Sequence, residues 1–446
     1  MKTFNYRLEE AMKLNYKRTL LLGFGFLASS LAWSLYNSFV PVMLEKRFGM
    51  MTSTIGMIMT IDNIFGVIFQ PVVGALSDRT CTRLGRRMPW ILVGIPTSAL
   101  FFFLIPRMWS FPLMIGILIV FNFCMSLWRS PVISLMPDLT PPEQRNKANA
   151  LINFMGGIGS IFAFGLGGYL SSKVDTTNGL TFLVGSAIMV LSLIMLITNI
   201  RERKLIDFSQ IHLDQSSFTE RLTESFKSIF AKDKEHNRHQ LSADKRRSLF
   251  AILIAIFFWF CAYNVIETFF TLFAVNTLRV DHGSATMMLT AFSLSFVVFA
   301  IPAGLLGSKL GRKRTIVLGL IMLLLFLSPM LFIREIVDYL TNLTGSTINP
   351  TLPVILLLTL GGIGWSFINI NSLPMVVQLS DLESTGRFTG YYYFFSFSAS
   401  IISPILFGWI RDLTNNYNYL FIYALIAFAL ALLSMLTVKH GEVEKR

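Results

Sequence analysis

The chain has 446 residues, of which 53% are hydrophobic and only 14% are charged, and its formal net charge is +13. Soluble globular chains carry roughly a quarter charged residues, so this composition excludes an ordinary soluble fold. The basic residues lie mostly in short segments between long apolar runs, a pattern that indicates membrane topology and not binding to nucleic acid. The cysteines, Cys81, Cys124 and Cys261, lack metal-ligand spacing, and we expect no metal and no bound cofactor.

Twelve apolar runs are long enough to cross a bilayer, because about 20 residues of helix span its hydrocarbon core. Backbone groups in lipid must be paired within the segment, so each run is predicted to be a helix. The fold class is therefore all-α integral membrane, with twelve transmembrane helices. The first six are expected at about 18–44, 53–77, 89–106, 112–136, 149–172 and 180–200, and the last six at about 248–277, 284–306, 314–333, 350–378, 388–410 and 417–438.

The distribution of basic residues predicts the orientation of these helices. The two terminal tails and the even-numbered loops hold 30 of the 38 lysines and arginines, whereas the odd-numbered loops hold 7. Since basic loops stay on the cytoplasmic side, we expect both termini in the cytoplasm and the protein in the plasma (inner) membrane.

One long loop divides the chain into two halves of six helices, residues 1–200 and 248–446. This linker, residues 201–247, is rich in Lys, Arg, His and Gln. Helical spacing of its apolar residues predicts an amphipathic helix on the cytoplasmic face, most simply a tether between the halves. The amphipathic residues are Phe218, Leu222, Phe226, Ile229 and Phe230.

The two halves repeat each other, which is a mark of secondary transporters. Three pairs of motifs recur in the same order in both halves. They are Tyr36-Asn37 with Tyr263-Asn264, Gly74 to Gly85-Arg86-Arg87 with Gly304 to Gly311-Arg312-Lys313, and Pro131 to Asp138-Leu139 with Pro374 to Asp381-Leu382.

The loop between the second and third helices resembles the signature of the major facilitator superfamily. It reads Gly74-Ala75-Leu76-Ser77-Asp78-Arg79, followed by an insert that ends at Arg83, then Leu84-Gly85-Arg86-Arg87. The resemblance implies the major facilitator fold and a conformational gate, because an acid beside an arginine cluster can form a pair in one state only. The implied gate residues are Gly74, Asp78, Arg79, Gly85, Arg86, Arg87, Asp138 and Arg145.

The longer form of this loop is similar to that of the sucrose-carrier branch of the glycoside-pentoside-hexuronide cation symporters. The loop Pro137-Asp138-Leu139-Thr140-Pro141-Pro142-Glu143-Gln144-Arg145 and the following Ala148-Asn149-Ala150 resemble that group as well. One position departs from it, since Asn122 stands where sucrose carriers have an aspartate. This departure argues against naming sucrose as the substrate.

Three ionisable residues lie well inside predicted helices: Asp62, Arg129 and Glu267. Each costs about 2.5–3.5 kcal/mol at the helix centre, so each is expected to face protein or a water-filled cavity. All five histidines lie in predicted loops or the tail, so a histidine inside the membrane is not expected to carry the proton. Proton coupling would have to use a carboxylate, Glu267 or Asp62, and Glu267 is favoured. A static ion pair between Asp62 and Arg129 is the structural alternative.

Polar and aromatic residues form stripes at helical spacing on helices one, four, seven and ten. The resemblance implies that these helices line a central cavity, where amide, guanidinium and aromatic groups suit a sugar. The alternative is that the Asn side chains only bond between helices. The expected substrate residues are Arg129, Asn37, Tyr36, Asn122, Asn264, Tyr263, Trp365 and Asn369, with Trp33 and Ser372 on the same stripes.

The sequence therefore predicts a proton-coupled sugar symporter that works by alternating access on a disaccharide or small oligosaccharide. The expected partners are the sugar and the lipid bilayer, the protein is expected to be a monomer, and the proton is the coupling ion. Two alternatives stay open: a drug or metabolite exporter of the same fold, and an integral membrane enzyme. HExxH, GxSxG and P-loop patterns are missing from the sequence, so we expect no enzymatic activity.

Overall fold

The computed structural model describes residues 15–141, 144–202, 243–345, 347, 349–379 and 385–440. Within these residues twelve helices are long and apolar enough to cross a membrane, which confirms the predicted all-α architecture. They are α1 Tyr16–Phe48, α2 Thr52–Arg79, α3 Met88–Arg107, α4 Phe111–Leu139, α5 Lys147–Lys173, α6 Gly179–Asn199, α7 Asp244–Leu278, α8 His282–Leu310, α9 Arg312–Thr344, α10 Thr351–Val377, α11 Phe388–Thr414 and α12 Tyr419–Thr437.

Most helix ends lie within a few residues of their predicted positions, but α9 continues eleven residues beyond residue 333. A 3₁₀-helical segment at Ser328–Phe332 contains Pro329 and interrupts the α-helix, which then resumes as Ile333–Thr344. Arg334 and Glu335 in this extension end the apolar run, so hydropathy placed the boundary too early. The Arg334 side chain donates to the carbonyl of Thr277 on α7 and fixes the extension to that helix.

Helix α2 is interrupted at Thr60, which separates the segments Thr52–Met59 and Ile61–Arg79. The Thr60 hydroxyl donates to the carbonyl of Met57 at 2.7 Å and closes the first segment. This interruption places Asp62 in the first turn of the second segment. A carboxylate is favourable there because the free N–H groups of a helix N-terminus carry partial positive charge.

The described helices form two compact units. The first comprises Met1–Tyr36 and Ile64–Leu222, and the second comprises Asn37–Asn63 and Thr223–Arg446. The end of α1 and the start of α2, residues 37–63, therefore pack with helices α7 to α12. The predicted division at the linker stays a prediction, and its amphipathic helix lies outside the described residues.

The first unit is held together by close helix contacts. On α5, a Cβ on Gly159 would overlap the carbonyl oxygen of Leu27 on α1, so only glycine permits this approach of the two backbones. Trp128 of α4 is fully buried against α3 and donates from Nε1 to Ser98 Oγ at 3.0 Å. Apolar side chains such as Leu100 and Leu191 are more than half exposed on the outside of this unit, as expected for helices solvated by lipid.

In the second unit, α10 packs against both α8 and α9. Asn371 of α10 is buried and donates to the carbonyl of Ala303 on α8 at 3.1 Å, which pairs a polar group that lipid would leave unsatisfied. Ile301 on α8 is 73% exposed, so apolar side chains cover the outside of this unit as well.

Candidate transport site

The predicted substrate residues of the first unit form a cluster of aromatic and polar side chains on α1 and α4. Tyr36 is fully buried and stacks on Phe121 with ring centroids 5.7 Å apart. Asn122, only 1% exposed, directs its amide nitrogen to the Tyr36 hydroxyl at 3.4 Å and to the Leu118 carbonyl at 2.9 Å. The side chains of Tyr36 and Asn122 are therefore covered by other residues of the cluster.

Trp33 and Arg129 lie at the accessible side of the same cluster. The Arg129 guanidinium carbon is 5.7 Å from the centre of the Trp33 ring, within the range of a cation–π contact. The indole nitrogen of Trp33 and the amide oxygen of Asn122 are buried and have no hydrogen-bond partner in the described part of the chain. An unpaired donor and an unpaired acceptor suit hydroxyl groups, which both donate and accept.

The predicted residues of the second unit meet around Glu267 on α7. The Glu267 carboxylate lies beside the side chains of Asn37 and Tyr263 and interacts with both. The Tyr263 ring stacks on Trp365 of α10 with centroids 4.3 Å apart and planes 4° apart. Because Trp365 is 3% exposed and Tyr263 covers one of its faces, Tyr263 is the accessible ring of the stack.

The other predicted residues of this stripe flank the stack. The Asn264 amide nitrogen donates to the Phe260 carbonyl one turn earlier at 2.7 Å, and Asn369 is half-buried. Ser372 bonds to the Tyr392 hydroxyl at 3.1 Å. Asp62 lies on α2, where its carboxylate accepts from the backbone and side-chain nitrogens of Asn63.

The predicted gate residues meet in the first unit. Arg87 is 4% exposed, and its Nε lies 3.0 Å from the Asp138 carboxylate while its Nη2 pairs with Asp78. Arg86 adds a second ion pair to Asp138 at 2.7 Å. Arg87 also donates to the Gly74 carbonyl and to the Ser77 hydroxyl. Two carboxylates and two guanidiniums thus form one network.

Two further predicted gate residues lie at or next to the ends of helices. Arg145 donates to the carbonyl of Pro137 at 3.1 Å and so braces the end of α4. Arg79 is the last residue of α2. In the second unit the matching residues Arg312 and Lys313 bind backbone carbonyls of Pro374 and Val438, while Asp381 lies outside the described residues.

The turn before α3 is fixed by Glu202. Gly85 has φ of +122°, and a Cβ there would overlap the Glu202 carboxylate. This carboxylate is fully buried and accepts the backbone N–H groups of Arg86, Arg87 and Met88 at about 3.0 Å. It satisfies donors at the N-terminus of α3 that the helix itself leaves unpaired.

A second polar network joins residues 37–63 to α7, α11 and the loop before α12. Asp412 accepts the backbone N–H groups of Thr52 and Ser53 at 2.9 and 2.8 Å. Tyr417 donates to Glu45 at 2.6 Å, and Arg411 lies 3.7 Å from the same carboxylate. Burial, and then the Glu45 charge, raise the pKa of Tyr417, so the phenol stays a donor.

His282 corrects one expectation, because it begins α8 instead of lying in a loop. Its Nε2 is 3.2 Å from the carbonyl oxygen of Ser38, and its ring packs on Phe39. These contacts belong to the same end of the second unit as the network around Asp412.

The comparison with protein families decides the classification. The model of the Major Facilitator Superfamily matches residues 22–283 and 252–446. The chain belongs to this superfamily. The protein is therefore a membrane transporter.

Three curated relatives of this major facilitator align with parts of the chain. It is 31% identical over 176 residues to the uncharacterized symporter sll1374 of Synechocystis sp., covering 37% of the chain and 31% of that protein. It is 24% identical over 194 residues to the isoprimeverose transporter of Lactiplantibacillus pentosus, covering 40% of each. It is 30% identical over 130 residues to the sucrose transport protein SUC3 of Arabidopsis thaliana, covering 23% of the chain and 21% of SUC3.

Solved structures of transporters share the fold over nearly the whole chain. The nucleoside transporter NupG superposes with a TM-score of 0.69 at 14% identity, covering 95% of this chain and all of NupG. A peptide transporter, POT, superposes with a TM-score of 0.68 at 12% identity and covers 95% of each chain. At these identities the likeness shows the fold alone.

Sequence reasoning missed Glu202 and the residues of the Asp412 network in this major facilitator. Glu202 lies three residues after the end of α6, and its partners lie more than 110 positions earlier. Asp412 and Thr52 are 360 positions apart. A charge immediately after an apolar run is the one local signal that these acids share, and it does not identify a partner.

Proposed function

We propose that this major facilitator carries a sugar of disaccharide or small-oligosaccharide size together with a proton, by alternating access. The names of two relatives, an isoprimeverose transporter and a sucrose transport protein, support a sugar as the substrate. The name of the Synechocystis relative, an uncharacterized symporter, supports symport. The long loop motif from Gly74 to Arg87 supports a place in the sucrose-carrier-like branch.

The contacts of Glu267 carry this proposal. Its carboxylate lies within the apolar span of α7, and its neighbours Asn37 and Tyr263 are neutral side chains. No described residue forms an ion pair with it. Because an uncompensated charge is costly inside a membrane, binding a proton is the means by which this group can lose its charge. Asp62 is the second proposed coupling carboxylate.

Sugar recognition is assigned to the two polar clusters. In the first, Arg129 and the ring of Trp33 lie at the accessible side and offer a cation and an aromatic face. We propose that this cluster opens during alternating access, so that the buried and unpaired Trp33 Nε1 and Asn122 Oδ1 then bond sugar hydroxyl groups as a donor and an acceptor. In the second, Tyr263 offers a ring, and Asn264 and Asn369 offer amides. Tyr36, Asn37 and Trp365 are proposed to hold these groups in place from behind.

We assign the protein to the plasma membrane as a monomer with both termini in the cytoplasm, in accordance with the distribution of its basic residues. In this orientation, the Arg87 network lies at the inner end of the first unit. The Asp412 network lies at the outer end of the second unit. We propose that these networks are the inner and outer gates.

Uptake by proteoliposomes tests the proposed function. Labelled sucrose, maltose, isoprimeverose and a nucleoside are offered with an inward proton gradient, an inward sodium gradient or no gradient. At one proton per sugar, a gradient of one pH unit supports about tenfold accumulation, since about 1.4 kcal/mol corresponds to a factor of ten. We expect at least one disaccharide to accumulate with the proton gradient and a protonophore to abolish this accumulation. Accumulation driven by sodium alone, or of the nucleoside alone, would refute the proposal.

A further inference from the structure

A basic cleft of about 380 Å³ lies where α9 begins and α12 ends, in the second unit. It is distinct from the polar clusters and from both networks described above. Three of its lining residues are cationic, one is a histidine and two are apolar. They are Lys313, Arg314, Met375, Val438, Lys439 and His440.

Backbone hydrogen bonds give this cleft a defined shape. The Lys313 ammonium donates to the carbonyl oxygens of Leu436 and Val438 at 3.2 and 2.6 Å and so closes the end of α12. The N–H groups of Lys439 and His440 both lie 3.2 Å from the hydroxyl of Ser248, which is buried on α7. The segment after α12 is thereby fastened to α7 and to α9.

Among the residues that the structure describes, no carboxylate pairs with the cationic side chains of the cleft. The partners of Lys313 are carbonyls, and neither Arg314 nor Lys439 forms an ion pair with any described residue. Asp244 begins α7 one turn before Ser248, the residue that fastens the segment after α12. The exposed Arg246 and Arg247 follow Asp244 on α7, so positive charge exceeds negative charge here.

We propose that this cleft binds the phosphate headgroup of an anionic membrane lipid. Cationic side chains form strong hydrogen bonds with phosphate oxygens, and Arg314 and Lys439 are available for them. The cleft opens at the ends of membrane-spanning helices, where headgroups lie, and Met375 and Val438 provide an apolar side for the glycerol and the first methylene groups. Each basic residue near an anionic surface strengthens binding by roughly fivefold.

Native mass spectrometry of the purified full chain tests this proposal. The protein is titrated with phosphatidylglycerol or with phosphatidylcholine that carries the same acyl chains. We expect a preference for phosphatidylglycerol that falls about 30-fold in Arg314→Gln/Lys439→Gln, since two basic residues are lost. Lys17→Gln/Lys147→Gln removes the same charge from exposed positions of the first unit and is expected to leave the preference unchanged. Asp244→Asn is expected to increase the affinity for phosphatidylglycerol.

A second arm separates a lipid headgroup from a free anion. Millimolar inorganic phosphate should leave phosphatidylglycerol bound, because the apolar side of the cleft holds the lipid and not the ion. Displacement by phosphate would overturn the assignment to lipid. Equal affinity for the two lipids, or an equal loss in both double variants, would overturn the site. The experiment uses the full chain, which contains Glu442 and Glu444, two residues outside the described part of the chain. Any competition between these carboxylates and the lipid phosphate for the basic side chains is therefore measured as well.

Discussion

Glu202 places one carboxylate on three successive backbone N–H groups at the start of α3, with no exposed surface of its own. A charged acceptor contributes about 1.5–3 kcal/mol to a hydrogen bond, against about 0.5–1.5 kcal/mol for a neutral one. Glu202 also holds Arg86 and Arg87 in the turn from which both reach Asp138. It is thus a positioning residue for the proposed inner gate.

Glu202→Gln should destabilise the protein by about 1–2 kcal/mol, because the amide keeps the shape of the side chain and loses its charge. The measurement is thermal unfolding of the detergent-solubilised protein. Glu335→Gln is the matched control, since Glu335 is exposed on α9 and forms no ion pair with the described residues. Equal stability of both variants and the parent would contradict the role of Glu202.

Residues within one motif were predictable, whereas partners from distant segments were not. Asp78 and Arg87 lie within a single loop signature, and the structure brings them together. The pairing of Asp412 with the N-terminus of α2 depends on tertiary packing across 360 positions. The stack of Tyr263 on Trp365 likewise follows from the approach of α7 to α10, which the helical spacing of each stripe does not specify.

At the scale of elements, α2 and α11 approach each other with almost no side chain between them. A Cβ on Gly56 would overlap the carbonyl oxygen of Pro404, and one on Gly408 would lie 2.6 Å from Ser53 Cα. The Asp412 carboxylate completes this contact by binding the first N–H groups of α2. In the proposed cycle these two helices separate when the outer gate opens.

Gly408→Val should slow transport, because the added side chain prevents close packing of α11 on α2 at a cost of about 1–3 kcal/mol. The initial rate of sugar uptake in proteoliposomes measures the effect, with equal amounts of protein in each preparation. Gly390→Val is the control on the same helix, since a Cβ at Gly390 meets no atom within 4 Å. An unchanged rate for Gly408→Val, or an equal loss for Gly390→Val, would refute a role of this contact in the cycle.

Hydropathy was sufficient for the number and type of the helices, because lipid leaves the backbone no other structure. It was insufficient where a helix leaves the apolar pattern, as in the polar extension Ile333–Thr344 of α9. It also did not predict the interruption at Thr60, which follows from a local hydrogen bond to Met57 and not from any change in polarity.

For the whole molecule, the cysteines offer a test of the proposed topology. Cys81 is exposed in the loop between α2 and α3, whereas Cys124 and Cys261 are buried. With both termini in the cytoplasm, this loop is cytoplasmic as well. A membrane-impermeant maleimide should therefore label inverted membrane vesicles and leave intact cells unlabelled, and Cys81→Ser should abolish the labelling. Labelling of Cys81 in intact cells would reverse the assigned orientation.

In the proposed mechanism Glu267 carries the coupling proton while separate side chains bind the sugar. Glu267→Gln keeps the hydrogen-bonding shape of the side chain but cannot release a proton. The decisive measurement compares sugar counterflow, which needs no net proton movement, with accumulation driven by a pH gradient in the same proteoliposomes. We expect counterflow to persist in Glu267→Gln while the accumulation ratio falls to about one, from about ten at a gradient of one pH unit. Accumulation equal to that of the parent protein would contradict this mechanism.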